Sequence, residues 1–362
     1  MEFGIFLSGY LPRPWNERSE ITVFEQEREL AVRADQAGFT HLWMSEHHFM
    51  EEYCHSSAPE LHMAAIAGLT KNIRLSHGIV DMQPQINHPV RVAERIATLD
   101  LISGGRVEFG SGRGSGVLEW GGFGVEETET KAAWEEALRA VLAMWTTEQF
   151  SWDGDLIKIP GPRNVIPKPV QKPHPPLWMA CTNPETAYEA GQRGIGALLF
   201  AYTGLEDIAE RVQIYRDGCK NPKGRFSDVI NDRVMWTSGG LCDKDDKIGI
   251  ERSLTSMGRG LGLFARYWPQ AVGGTLKVNA KIAAAPTEED IDVEGLMAKD
   301  GIFAGDPKRI LELVQRTHEA GVDNMVISLA PGLASQEHLL TTIDLWGEFI
   351  IPEMLKAERV PA

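Results

Sequence analysis

The sequence predicts a (β/α)8 barrel, the TIM fold, with insertions, and three observations carry the prediction. Strand-like apolar runs and helix-like stretches alternate eight times without a long break. The chain has 362 residues, 43% hydrophobic, enough for one large core, and α/β barrels often use this length as one unit. Three chemically unusual segments fall at the carboxyl ends of predicted strands, where barrel enzymes build their sites. A doubly wound open sheet is the competing α/β architecture, and the count of eight favours the barrel.

The elements follow in order. Phe3-Gly4-Ile5-Phe6-Leu7 reads as a buried strand. Residues 20–37 have apolar positions Ile21, Phe24, Leu30 and Ala34 at helical spacing and are closed by Gly38. Strand two is expected over 41–44, a helix over 58–71 and strand three over 73–80. A proline-containing loop and a helix over 90–102 follow, ended by Gly104-Gly105. Strand four is expected over 106–110. A helix over 127–145 carries Trp134, Leu138, Val141 and Leu142 at helical spacing.

Residues 150–176 hold seven prolines, too many for a helix or central strand, and predict an excursion with a hairpin around Asp153-Gly154-Asp155. Strands five to seven are expected over 177–181, 195–202 and 234–241, with helices over 184–194, 205–219 and 243–264. Residues 265–300 predict a second, irregular excursion. A helix over 306–321, strand eight over 324–329 and a final helix over 336–355 complete the chain. Residues 1–362 thus read as a single barrel domain.

Composition excludes several functions. A net charge of −15 opposes binding to nucleic acid or anionic membranes. Cys54, Cys181, Cys219 and Cys242 form no CxxC pair, which argues against a structural zinc site or a disulfide scaffold. The N-terminus has no signal-peptide pattern and no apolar run has spanning length, so the expectation is a soluble cytoplasmic protein.

The richest segment is Trp43-Met44-Ser45-Glu46-His47-His48-Phe49 at the end of strand two. Neighbouring residues on an extended segment face opposite sides, so His47 and His48 do not share one task. An imidazole exchanges protons near neutral pH. After strand four comes Gly110-Ser111-Gly112-Arg113-Gly114-Ser115-Gly116. Its glycines permit close backbone approach, and the Arg113 guanidinium suits a phosphate. Read alone, the run is more simply a flexible turn, and it lacks both the P-loop ending and strict GxGxxG. After strand five, Thr182 precedes a helix with Asn183 as N-cap and Pro184 in its first turn. Such a terminus is either an ordinary cap or a phosphate site. Arg113 and this helix belong to neighbouring strands, so one phosphate can touch both. His47, His48, His55 and His62 lack metal-ligand spacing, and no nucleophile elbow is present.

On these residues the chain resembles the bacterial luciferase-like flavin-dependent monooxygenase family. The resemblance spans essentially the whole chain. It is strongest in the opening Met1–Leu7, in Trp43–Phe49, and from His88-Pro89-Val90-Arg91 through Leu99-Asp100 to Gly105-Arg106 and Phe109-Gly110. It is looser over Ala180–Thr186.

The resemblance implies a (β/α)8 barrel using reduced FMN and molecular oxygen. It places His47 at the catalytic histidine, with Glu46 and His48 beside it. Arg113 falls at the flavin-phosphate arginine, within Gly112-Arg113-Gly114. Thr182 corresponds to a hydroxyl residue on the phosphate, with Asn183 and Thr186 in the same segment. Gly78-Ile79 falls where the family has a non-prolyl cis peptide under the flavin ring. Two departures stand out. Gly112 replaces a reactive cysteine of luciferase, which weakens the case for light emission. Lys131 replaces a second phosphate arginine, keeping the charge and losing the planar fork.

The function expected is an FMN-dependent monooxygenase oxidising a small, apolar organic substrate. No nicotinamide fingerprint is present, so a separate flavin reductase is expected as partner, and a homodimer is expected by resemblance. Phe49, Trp178, Phe200, Tyr202 and the aromatics of 264–268 are candidates for the substrate wall. The alternatives are a deazaflavin-dependent oxidoreductase, a metal-dependent hydrolase and a non-catalytic flavin-binding subunit.

Overall fold

In the computed structural model, which describes residues 1–114, 116–268 and 288–357, eight parallel strands close into a barrel. They are β1 (Glu2–Leu7), β2 (His41–Met44), β3 (Arg74–His77), β4 (Val107–Gly112), β5 (Leu177–Cys181), β6 (Gly196–Phe200), β7 (Val234–Gly239) and β8 (Asn324–Ser328). Each pairs with its sequence neighbour in parallel register. Phe6 pairs with Trp43 and Gly110 with Trp178, and β1 with β8 (Ile5 with Ile327) closes the ring.

Strand faces divide the core. Phe6, Trp43, Trp178, Leu198, Met235 and Val326 fill the barrel interior, and Trp43 meets Trp178 edge-on at 5.2 Å. The opposite faces, such as Ile5, Leu42, Met44, Leu75 and Phe109, pack under the helices. The amino end of the barrel is plugged by charge. Buried Glu108 meets Arg74 and Arg233 and accepts 2.6 Å from Trp178 Nε1. Burial alone would raise its pKa, but the nearby His41 ring and the two guanidinium charges hold it down to about 2. Trp178 is therefore interior core, which removes it from the expected substrate wall: its side chain is fully buried and its N–H is committed to Glu108.

The helices match the periodicity with shifted ends. The first is Ser19–Ala37, closed by left-handed Gly38. Its buried face runs through Val23, Glu27, Leu30, Ala31 and Ala34, whereas Ile21 is exposed. The hairpin around Gly154 forms from Phe150–Asp153 and Lys158–Arg163. Strand three is interrupted. After His77 the chain breaks pairing at Gly78-Ile79 and resumes as Val80–Asp81 against Ser111–Gly112.

Three expectations need correction. Gly78–Ile79 is a trans peptide, and the cis bonds of the described residues all precede proline. A trans bond avoids a cost of about 3–4 kcal/mol. Glycine is required at 78 for another reason: a Cβ there would lie 2.8 Å from the Phe6 ring. Residues 265–300 are not irregular throughout. Residues 269–287 lie outside the described residues, but Val293–Ala298 is a helix, capped by Asp292, that buries Val293 and Leu296. Finally, a short helix unforeseen from the sequence, Val117–Phe123, follows the glycine segment and ends at left-handed Gly124.

Close approach of β3 and β4 depends on Gly110, where a Cβ would overlap the His77 carbonyl oxygen. Gly110→Ala is expected to lower stability by about 1–3 kcal/mol, the usual cost of overpacking. A shift of the urea midpoint to lower concentration checks it.

Candidate functional site

The segment after β2 turns at the carboxyl end of the barrel and presents its two imidazoles in different directions. Glu46 is buried and His48 is held to it, Nε2 to Oε1 at 3.2 Å. His47 is held elsewhere. Its Nδ1 lies 3.1 Å from Oε1 of Glu119, which sits in the short helix Val117–Phe123. The same Glu119 oxygen accepts the His48 backbone N–H at 2.8 Å. The two adjacent histidines thus have different carboxylate partners. Glu46, placed beside His47 by the family resemblance, pairs with His48, and nothing in the sequence points to Glu119.

The pairing is buttressed from behind. Asn87 donates to Glu46 Oε1 at 2.6 Å and to the Asp81 carbonyl at 2.9 Å. Arg95 donates to the Asn87 side-chain oxygen Oδ1 and pairs with Glu60 at 2.6 Å. Asp81 is a third buried carboxyl in this cluster. Burial raises its pKa to about 7; the Gln83 N–H opposes that shift, and the charges of Glu46 and Glu119 add to it. For His48, burial disfavours the proton, but the Glu46 hydrogen bond and charge, with Glu119 and Asp81 nearby, outweigh burial and raise its pKa. The cluster can therefore hold and exchange protons near neutral pH.

Aromatic rings cover the outer face of His47. Tyr53 stands 5.7 Å away and Trp268 5.2 Å away, centroid to centroid. Phe264 packs on Trp268 at 4.8 Å, and Tyr202 on Phe264 at 5.3 Å. The Arg266–Glu52 ion pair at 3.0 Å ties this turn to the loop after β2. Of the residues named for a substrate wall, Tyr202 and the aromatics of 264–268 pack into one cluster, joined by Tyr10 and Tyr53, which the sequence does not reveal. Phe49 lies on the other side, exposed beside Phe123 and His48. Phe200 packs edge-on against Phe6 at the barrel mouth.

The expected phosphate residues gather around β4 and β5. Arg113 is exposed, and among the described residues its guanidinium makes one long contact, 3.5 Å to Thr130 Oγ1. Lys131 follows Thr130 and pairs with Glu189 at 2.8 Å. Glu189 also pairs with Arg193, and both lie on the helix Pro184–Arg193. That helix is capped as expected. Asn183 accepts the Thr186 N–H at 2.9 Å, and Thr186 returns its hydroxyl to the Asn183 carbonyl at 2.9 Å. Both side chains are thereby committed to the cap, while Thr182 stays exposed.

The glycines shape the floor. Gly114 is left-handed (φ 71°), and a Cβ there would overlap Asp81 Oδ2; a Cβ at Gly112 would lie 2.9 Å from Ile79. Arg113 after β4 and Thr182 after the neighbouring β5 both expose groups suited to a phosphate, and His47 follows β2. Thiol chemistry is not on offer, since burial pushes Cys54 and Cys181 up to about 12. His55 faces Glu20 and His62 faces Glu27, apart from the site, and the described residues hold no cluster able to bind a metal.

The model of the luciferase-like monooxygenase family matches residues 1–233, and the chain belongs to this family. It is 26% identical over 238 residues to the oxygenase component of a flavin-dependent trigonelline monooxygenase from Acinetobacter baylyi, covering 65% of this chain and 63% of that protein. It is 25% identical over 338 residues to an F420-dependent glucose-6-phosphate dehydrogenase from Amycolatopsis mediterranei, covering 90% and 93%. Among solved structures, the monooxygenase RslO1 from Streptomyces bottropensis superposes with a TM-score of 0.79 at 25% identity, over 98% of this chain and 100% of that one.

Proposed function

We propose that the whole chain is one functional unit, an FMN-dependent monooxygenase that oxidises a small apolar organic molecule with molecular oxygen. What supports the reading is an exposed Arg113 after β4 and an exposed Thr182 after the neighbouring β5, with His47 after β2. Reduced flavin, when bound, supplies the electrons for oxygen activation. The chain does the rest. Arg113, Lys131 and Thr182 hold the phosphate, with Lys131 leaving Glu189, since an exposed ion pair is worth only about 0–1 kcal/mol. Gly78, Ile79, Gly112 and Gly114 form the surface for the ring system, and the cap formed by Asn183 and Thr186 fixes the helix above the phosphate. His47 gives or takes one proton at Nε2. His48 and Glu46 form a charged pair beside it. Tyr53, Phe264 and Trp268 exclude water and favour an apolar substrate.

The F420-dependent relative makes a deazaflavin oxidoreductase the second reading. Reduced FMN is expected to bind more tightly than the deazaflavin, because the cation set suits a single terminal phosphate. Parallel anaerobic titrations decide it; equal or reversed affinities would overturn the FMN assignment.

The relative described as an oxygenase component supports a separate reductase as the source of reduced flavin. No described helix is long and apolar enough to cross a membrane, and we place the protein in the cytoplasm. A homodimer is part of this reading, motivated by exposed Leu61, Leu69, Leu101 and Ile102 in or beside the helices Pro59–Ala67 and Pro89–Ser103. Light scattering at micromolar concentration should give twice the chain mass of 40.1 kDa; a monomer mass would contradict it.

A further inference from the structure

We propose that Glu119 is the positioning residue that sets the tautomer of His47, making Nδ1 the proton-bearing nitrogen and Nε2 the free, proton-accepting one. The inference rests on the reading of His47 as the acid–base group and adds how that group is prepared.

One oxygen of Glu119 makes both contacts, to His47 Nδ1 at 3.1 Å and to the His48 backbone N–H at 2.8 Å. A backbone N–H can only donate, so this oxygen accepts from it. With Glu119 as a carboxylate, which has no proton to give, the Nδ1 contact requires Nδ1 to carry hydrogen. His47 Nε2 then keeps its lone pair, and among the described residues it makes no hydrogen bond. Glu119 cannot easily turn away. Its side chain is only 4% exposed. Its second oxygen lies against Gly116, where a Cβ would sit 2.5 Å from it, so the glycine makes room for the carboxylate. His48 is held in the opposite sense, through Nε2 to Glu46. The two adjacent imidazoles are thus sorted by two carboxylates from different strand ends.

The arrangement matters because free imidazole prefers hydrogen on Nε2, which would leave the outward nitrogen unable to accept a proton. A partner on Nδ1 reverses that preference. The carboxylate also stabilises the imidazolium formed when Nε2 takes the proton, as in other acid–base dyads.

The test is nitrogen NMR of 15N-histidine protein without flavin or substrate, with the His47 signals assigned by their loss in His47→Ala. The wild type should show His47 with hydrogen on Nδ1. Glu119→Met fills the volume but offers no acceptor, so the Nδ1–H form should be lost in favour of Nε2–H. Glu119→Gln should retain the Nδ1–H form, because the His48 N–H holds the amide with its oxygen inward. Turnover at saturating reduced FMN should fall with the tautomer in Glu119→Met and recover largely in Glu119→Gln, with flavin affinity unchanged in both. A wild type with hydrogen on Nε2, or a Glu119→Met protein that keeps the Nδ1–H form, would overturn the proposal. If Glu119→Met does not fold, the wild-type spectrum and the Glu119→Gln comparison still decide it. Because the spectra need no flavin, a failed cofactor or substrate assignment leaves this result readable by itself.

Discussion

Replacing His47 with alanine is expected to cut product formation by about 10²–10⁴-fold, the contribution a positioned acid–base group usually makes. The ring is replaced by a methyl group, while Glu119 keeps its contact with the His48 N–H. The loop after β2 should therefore keep its course. Flavin affinity should change little, because the phosphate residues belong to the ends of β4 and β5 and to the helices behind them. Turnover at saturating reduced FMN, with oxygen uptake followed in parallel, measures the effect. Wild-type turnover in this variant would remove His47 from the chemistry.

Arg113→Ala is expected to do the reverse. A hydrogen bond to a charged group is worth about 1.5–3 kcal/mol, so losing the guanidinium should weaken reduced-FMN binding by about 10–100-fold. Turnover should recover in large part at high flavin concentration, since His47 and its carboxylate are untouched. Added salt should narrow the gap between wild type and variant, because the lost interaction is electrostatic and partly solvent-exposed. An Arg113→Ala protein with wild-type flavin affinity would move the phosphate elsewhere.

Much of this architecture is legible in the sequence because the barrel repeats one simple rule. Continuous apolar runs such as Phe3–Leu7 and Leu177–Cys181 fall where the strands are, and Gly38, Gly104 and Gly194 mark left-handed helix ends. The Asn183-Pro184 start of the helix after β5 is legible for the same reason, being local chemistry. What the sequence does not reveal is what depends on contacts between distant positions. Glu119 lies 72 residues from His47, in a short helix disguised by the glycines at 116, 121, 122 and 124, which read as loop. Asn87 and Asp81 gain their roles only when the broken third strand brings them under Glu46. Tyr10 and Tyr53 join the aromatic wall from loops without a periodic signal. Trp178 misleads in the opposite direction, since a large aromatic at a strand end can fill the barrel as readily as line a pocket.

On the proposed function, binding and chemistry occupy different strand ends of one site. The most direct test is an anaerobic titration of reduced FMN into wild type, His47→Ala and Arg113→Ala side by side. The prediction is a wild-type dissociation constant for His47→Ala and one about 10–100-fold weaker for Arg113→Ala. A His47→Ala protein that loses flavin as severely as Arg113→Ala would contradict it.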